Sequence, residues 1–138
     1  MSYKFLEHTA DVGIECSGET IEEAFEEGGK ALFEVMVDIQ AIQPIEMTTF
    51  TVEADSIENL FVEYLNRLIA LKDINESVYS EFEVEIIEKD EKFTLNCLAR
   101  GEMLNQEKHN IKIEVKSATY YGLKYNKGTN TLTTVLDV

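Results

Sequence analysis

An α+β fold, with two helices packed on a mixed or antiparallel β-sheet and a β-rich C-terminal half, follows from three features of the sequence. Apolar residues recur at helical spacing in two early stretches, residues 21–36 and 57–68. Several shorter stretches instead alternate apolar and polar residues with a period of two. The helical stretches come early and the alternating ones crowd residues 82–138, so the strands there run on without helices between them. That order belongs to α+β architecture and not to a parallel βαβ series.

Residues 3–6 and 12–16 predict two strands. In the second, Val12, Ile14 and Cys16 alternate with Asp11, Gly13 and Glu15, giving one apolar and one polar face. Thr20-Ile21-Glu22-Glu23 is a capping box: the Thr20 oxygen accepts from the first turn while Glu23 reaches back. The helix it opens carries Ile21, Ala24, Phe25, Leu32, Val35 and Met36 on one face. Gly28-Gly29 lowers helix propensity by about 1 kcal/mol per Gly relative to Ala, so close packing is the reason expected for it. No Gly-rich fingerprint with Lys-Ser/Thr surrounds the pair, which makes a phosphate loop a poor alternative. Pro44 marks a connection, and residues 48–54 alternate as a strand. Asp55 or Ser56 caps a second helix, whose stripe of Ile57, Leu60, Phe61, Tyr64, Leu65 and Leu68 should lie at the centre of the core.

Beyond it, residues 82–86 and 93–99 alternate on either side of a polar turn, a hairpin pattern. Ile111, Ile113 and Val115 predict a further strand. Residues 122–125 and 131–138 flank Asn126-Lys127-Gly128-Thr129-Asn130, a second turn. With 138 residues and no compositional break for a linker, one domain spanning residues 1–138 is expected.

The formal charge is −15, which repels phosphate backbones and disfavours direct nucleic-acid binding, while suiting cations and basic protein surfaces. The N-terminus has no basic start followed by an apolar run, and no stretch is long and apolar enough to span a bilayer. A cytoplasmic protein with no membrane partner is the expectation. Cys16 and Cys97 lie far apart in strand patterns and read as buried, reduced thiols. His8 and His109 are the only imidazoles, and neither lies in a nucleophile motif. His109, in the polar run 105–110, reads as a surface-loop residue.

Carboxylates remain. Asp11 stands on the polar face of an early strand, and Asp137 precedes Val138 at the other end of the sequence. If those strands pair, Asp11, Asp137 and the Val138 carboxylate converge as hard oxygen donors suited to Ca²⁺, Mg²⁺ or Mn²⁺. An acidic chain offers many such pairs, however, and solvated carboxylates are the commoner outcome.

The segment His8-Thr9-Ala10-Asp11-Val12-Gly13-Ile14 resembles the N-terminal signature of the archease family. The likeness continues through the apolar residues 60–71, the Gly101-Glu102 step, Val115-Lys116-Ser117-Ala118-Thr119-Tyr120 and Val135-Leu136-Asp137-Val138, in the family's order. The resemblance implies an accessory protein, not an enzyme, that serves an RtcB-type RNA ligase in tRNA splicing and RNA repair. It would speed the ligase's guanylylation and support its turnover, meeting RNA only through the ligase. The ligase would supply the catalytic histidine and use GTP and Mn²⁺. Asp11 and Asp137 match the family's metal-binding acids, with the Val138 carboxylate beside them, and Lys116 matches the lysine of its activating motif. Ser117 stands where that motif more often has Ala, and Tyr121 where many members have His.

Two readings of His8 stand side by side: an outer donor that orients a carboxylate ligand, or a half-buried His satisfied by backbone carbonyls. Two other functions compete with the ligase activator. One is a chaperone-like interaction module without catalytic effect. The other is a stand-alone metal-dependent hydrolase using Asp11 and Asp137 to activate water, which the scarcity of bases and the negative charge disfavour.

Overall fold

The structure is a computed structural model and describes residues 1–7 and 11–138. Strand β1 (Ser2–Glu7) pairs antiparallel with β2 (Asp11–Ser17). Helix α1 (Ile21–Met36) begins as the capping box requires: Thr20 Oγ1 accepts the Glu23 N–H at 3.1 Å, and Glu23 Oε2 accepts the Glu19 N–H at 3.3 Å. Strand β3 (Glu46–Ala54) leads to helix α2 (Ile57–Asn75), with Ser56 and not Asp55 as its cap. The hairpin of β4 (Ser77–Lys89) and β5 (Lys92–Met103) follows. A single helical turn, α3 (Gln106–His109), then precedes three strands: β6 (Ser117–Ala118), β7 (Lys124–Asn126) and β8 (Thr131–Asp137).

The α+β class holds, and every strand pairing is antiparallel, but the strands divide between two sheets. One has the order β1-β2-β8-β6, with β7 also on β8; the other has the order β3-β5-β4. Because β2 occupies the whole of one edge of β8, from Thr131 to Asp137, β6 and β7 share the other edge end to end. Both helices touch both sheets: α1 packs on β2 and β4, α2 on β3, β5 and β6. Their apolar stripes form the core. Phe25, Leu32 and Phe33 of α1 are fully buried, as are Phe61, Tyr64, Leu65 and Leu68 of α2.

The Gly28-Gly29 pair has the packing role expected of it. A Cβ on Gly28 would fall 2.5 Å from Phe61 Cε1, so the glycines let α2 and its aromatic side chains approach α1 closely. Gly101 meets a harder constraint. Its Cβ would lie 1.8 Å from the carbonyl oxygen of Val78, where the β4–β5 register slips between Tyr79 and Glu81. Both cysteines are buried and free, as expected. Among the described residues no helix is long and apolar enough to cross a membrane.

Two expectations fail. Residues 111–116 form no strand, although Ile111, Ile113 and Val115 alternate. The segment runs past the end of α1, where the Lys112 N–H donates to Met36 O at 2.8 Å, and it joins no ladder until β6. Of its three alternating apolar residues only Val115 is buried; Ile111 and Ile113 remain 46% and 42% exposed, so the alternation does not mark a face against the core. His109 is not a surface-loop residue; it is fully buried. Polar neighbours in sequence gave no sign of that, because its partner is a carboxylate on β5.

Candidate functional site

The alternation that makes β2 amphipathic places Asp11 on the face away from the core. Its direct cross-strand partner on β8 is Asp137, and Asp137 is in turn opposite Ser117 on β6. Asp11, Asp137 and Ser117 therefore form one row across three adjacent strands, all half-buried. Lys116 joins the row through its backbone, donating its N–H to Asp137 O at 2.8 Å, while the residue itself is exposed. Val138 follows Asp137 directly and is half-buried. Four of the residues singled out from sequence thus meet at one end of the first sheet. His8 lies outside the described residues.

Like charges directly opposite on a ladder repel, so the Asp11–Asp137 pair calls for a positive counterpart. Among the described residues no group of three or more His, Cys, Asp or Glu side chains is gathered. The pair therefore offers two side-chain carboxylates. This donor set is all oxygen and anionic, which fits a hard divalent cation and not zinc or copper.

The segment carrying Lys116 is held tightly downstream. Thr119 donates both its N–H, at 3.0 Å, and its Oγ1–H, at 2.8 Å, to Val135 O. The buried Thr134 hydroxyl returns a 2.6 Å bond to Thr119 O. From α2, the Asn66 side chain bonds Ala118 twice: the Ala118 N–H donates to Oδ1 at 2.7 Å, and Nδ2 donates to Ala118 O at 3.2 Å. Tyr120 and Tyr121 stand exposed just beyond. The sequence reading missed Asn66. Its one signal was a short polar amide in the middle of a long helix with an apolar stripe, where Asn is a poor helix former.

Upstream, the segment is anchored by Glu102, the acid of the Gly101-Glu102 step. The Glu102 carboxylate accepts from the Gln43 N–H at 2.9 Å, Lys108 Nζ at 2.9 Å and His109 Nε2 at 2.8 Å. His109 Nδ1 accepts the Asn105 N–H at 2.9 Å, so the ring proton sits on Nε2 and points at Glu102. Burial pushes the Glu102 carboxyl up, but the bonds from Gln43, His109 and Lys108 outweigh it and hold it down at about 2. Its ionised form is the one this corner is built around.

A family model for the archease protein family (MTH1598/TM1083) matches residues 3–138. The chain belongs to the archease family. A protein archease of Pyrococcus furiosus is 40% identical over 125 residues, 91% of this chain and 88% of that one. The archease of Sulfurisphaera tokodaii is 38% identical over 138 residues, covering 99% and 98% of the two chains. Among solved structures, the solution structure of Methanobacterium thermoautotrophicum protein 1598 superposes with a TM-score of 0.84 at 28% identity, covering 99% of this chain and 98% of that one. A Thermotoga maritima archease, described as a possible chaperone, shares the fold with a TM-score of 0.57 at 23% identity, covering 98% and 96%. In archease terms, the row of Asp11, Asp137 and Ser117 draws together three of the segments that carried the resemblance: the start, the 115–120 segment and the final strand.

Proposed function

We propose that this archease is an accessory protein of an RtcB-type RNA ligase, raising the rate of ligase guanylylation and sustaining its turnover. The observation that carries the reading is the convergence of Asp11, Asp137 and the Lys116 backbone on one row of the first sheet. Asp11, Asp137 and the Val138 carboxylate would hold a divalent metal, Ca²⁺ or Mn²⁺ or Mg²⁺; when bound, the ion neutralises the paired acids. Lys116 presents an exposed ammonium at the end of the tightly held segment, available to anionic groups on a partner. The charge of −15 steers the molecule toward a basic, RNA-binding surface and raises the rate of encounter.

A stand-alone hydrolase gains no support from the site. One of the two imidazoles, His109, is buried and committed to Glu102. The chaperone reading draws on the description of the Thermotoga maritima neighbour as a possible chaperone. One experiment separates them: the rate of ligase guanylylation with and without this protein, beside an aggregation assay on the same ligase. Acceleration supports the activator. Suppressed aggregation with an unchanged guanylylation rate replaces it with the chaperone, and RNA cleavage by this protein alone replaces both.

A further inference from the structure

We propose that Asn66 is a positioning residue for Lys116: its carboxamide stands in for a neighbouring strand on the free edge of β6. The role assigned to Lys116 rests on the function proposed above; the placement of Asn66 rests on geometry alone. Strand β6 is only two residues long and pairs with β8 on one edge. Thr119, the next residue after Ala118, bonds β8 through its N–H to Val135 O; the Lys116 N–H also reaches β8, at Asp137 O, out of step with ladder alternation. By the alternation of a ladder, the N–H and C=O of Ala118 point to the opposite edge. Among the described residues no strand lies there.

Helix α2 passes that edge, and Asn66 takes both groups with one acceptor and one donor, as a peptide would. The backbone fixes the amide's orientation, because the Ala118 N–H must face an oxygen. Ala118 is buried, so without Asn66 its two polar groups would be cut off from partners. No other side chain of this size does the same: ionised Asp offers no donor, and Leu offers neither group. Asn also forfeits helix propensity in this position, which the double bond explains. Lys116 is thus held from β8 through its own amide and from α2 through Ala118. Loss of Asn66 should free residues 116–118 while leaving the β2–β8 ladder intact.

The test uses Asn66→Ala, Lys116→Ala and the double variant, with two readouts. Amide hydrogen exchange on the protein alone should quicken at Lys116 and Ala118 in Asn66→Ala by roughly tenfold, the size expected for one ordinary hydrogen bond. Ile14, Thr134 and Leu95 should keep their protection. In the guanylylation assay, Asn66→Ala should lose about as much stimulation as Lys116→Ala, and the double variant should lose no more than Lys116→Ala alone, the non-additivity of residues acting as a unit. A merely structural role would lower protection throughout and give additive losses. Unchanged exchange at Lys116 and Ala118, full stimulation by Asn66→Ala, or an added loss in the Lys116→Ala background each overturns the proposal. If Asn66→Ala fails to fold, Asn66→Asp keeps the volume and the acceptor but loses the donor, and it should show the same local effect at smaller size. If the wild-type protein does not stimulate the ligase, the functional reading fails, and the exchange data still decide whether Asn66 holds Lys116 in place.

Discussion

Asp11 and Asp137 face each other directly across β2 and β8, two carboxylates in adjacent antiparallel strands. Such a pair destabilises the ladder unless a cation offsets it. Asp137→Asn should therefore raise the melting temperature slightly in chelator, and lose most of the stabilisation that Ca²⁺ or Mn²⁺ gives the wild type. Melting curves of both proteins with and without metal provide the check. Equal metal-induced shifts in the two proteins would remove Asp137 from the donor set.

The exposed Lys116 should matter to function and not to folding. Lys116→Ala is expected to change stability by no more than roughly 0.5 kcal/mol, the range of ordinary surface substitutions. Stimulation of ligase guanylylation should fall markedly. A large drop in stability would assign Lys116 a structural pairing instead.

The Val138 carboxylate is testable by extension of the chain. An added residue turns it into a neutral amide carbonyl, a weaker ligand for a hard cation. A short tag after Val138 should lower metal affinity and ligase stimulation, while the melting temperature in chelator stays nearly unchanged. The same tag before Met1 is the control. Tight metal binding by the C-tagged protein would leave the two Asp side chains as the donors.

Glu102 predicts a pH signature. Its carboxyl is held at about 2 in the folded protein against an ordinary value of 4.5. A depressed folded value contributes stability that is present above 4.5 and is lost as pH falls from there toward 2. Glu102→Gln should cost about 1–3 kcal/mol at neutral pH, because it weakens the bond to the buried His109 and removes the charge partner of the more exposed Lys108. The gap between wild type and variant should narrow as pH falls through that window. Urea unfolding at a series of pH values measures it, and a gap that stays constant would contradict the assignment.

Gly28→Ala sets two effects against each other. Alanine is the better helix former by about 1 kcal/mol. Its Cβ would lie 2.5 Å from Phe61 Cε1 in a filled core, and overpacking of that kind costs typically about 1–3 kcal/mol. The variant should be the less stable of the two, by denaturant unfolding, with metal affinity unchanged because the site lies on the far face of β2.

Local physics made much of this molecule legible in its sequence. The capping box at Thr20, the alternation of β2 and the apolar stripe of α2 each depend on residues within a turn or a pleat of one another, so periodicity and side-chain chemistry determined those elements. The pairing of Asp11 with Asp137 was only a condition in the sequence, since nothing local says which strands become neighbours. Tertiary structure alone decided the fate of the polar groups. Residues 111–116 alternate like a strand, yet no free edge met them. His109 reads as a loop residue until Glu102 is brought to its Nε2, and Asn66 reads as a flaw in a helix until Ala118 is brought to its carboxamide. A buried donor or acceptor must find a partner, but that partner is set by packing between distant segments, and the pattern of a single segment does not contain it.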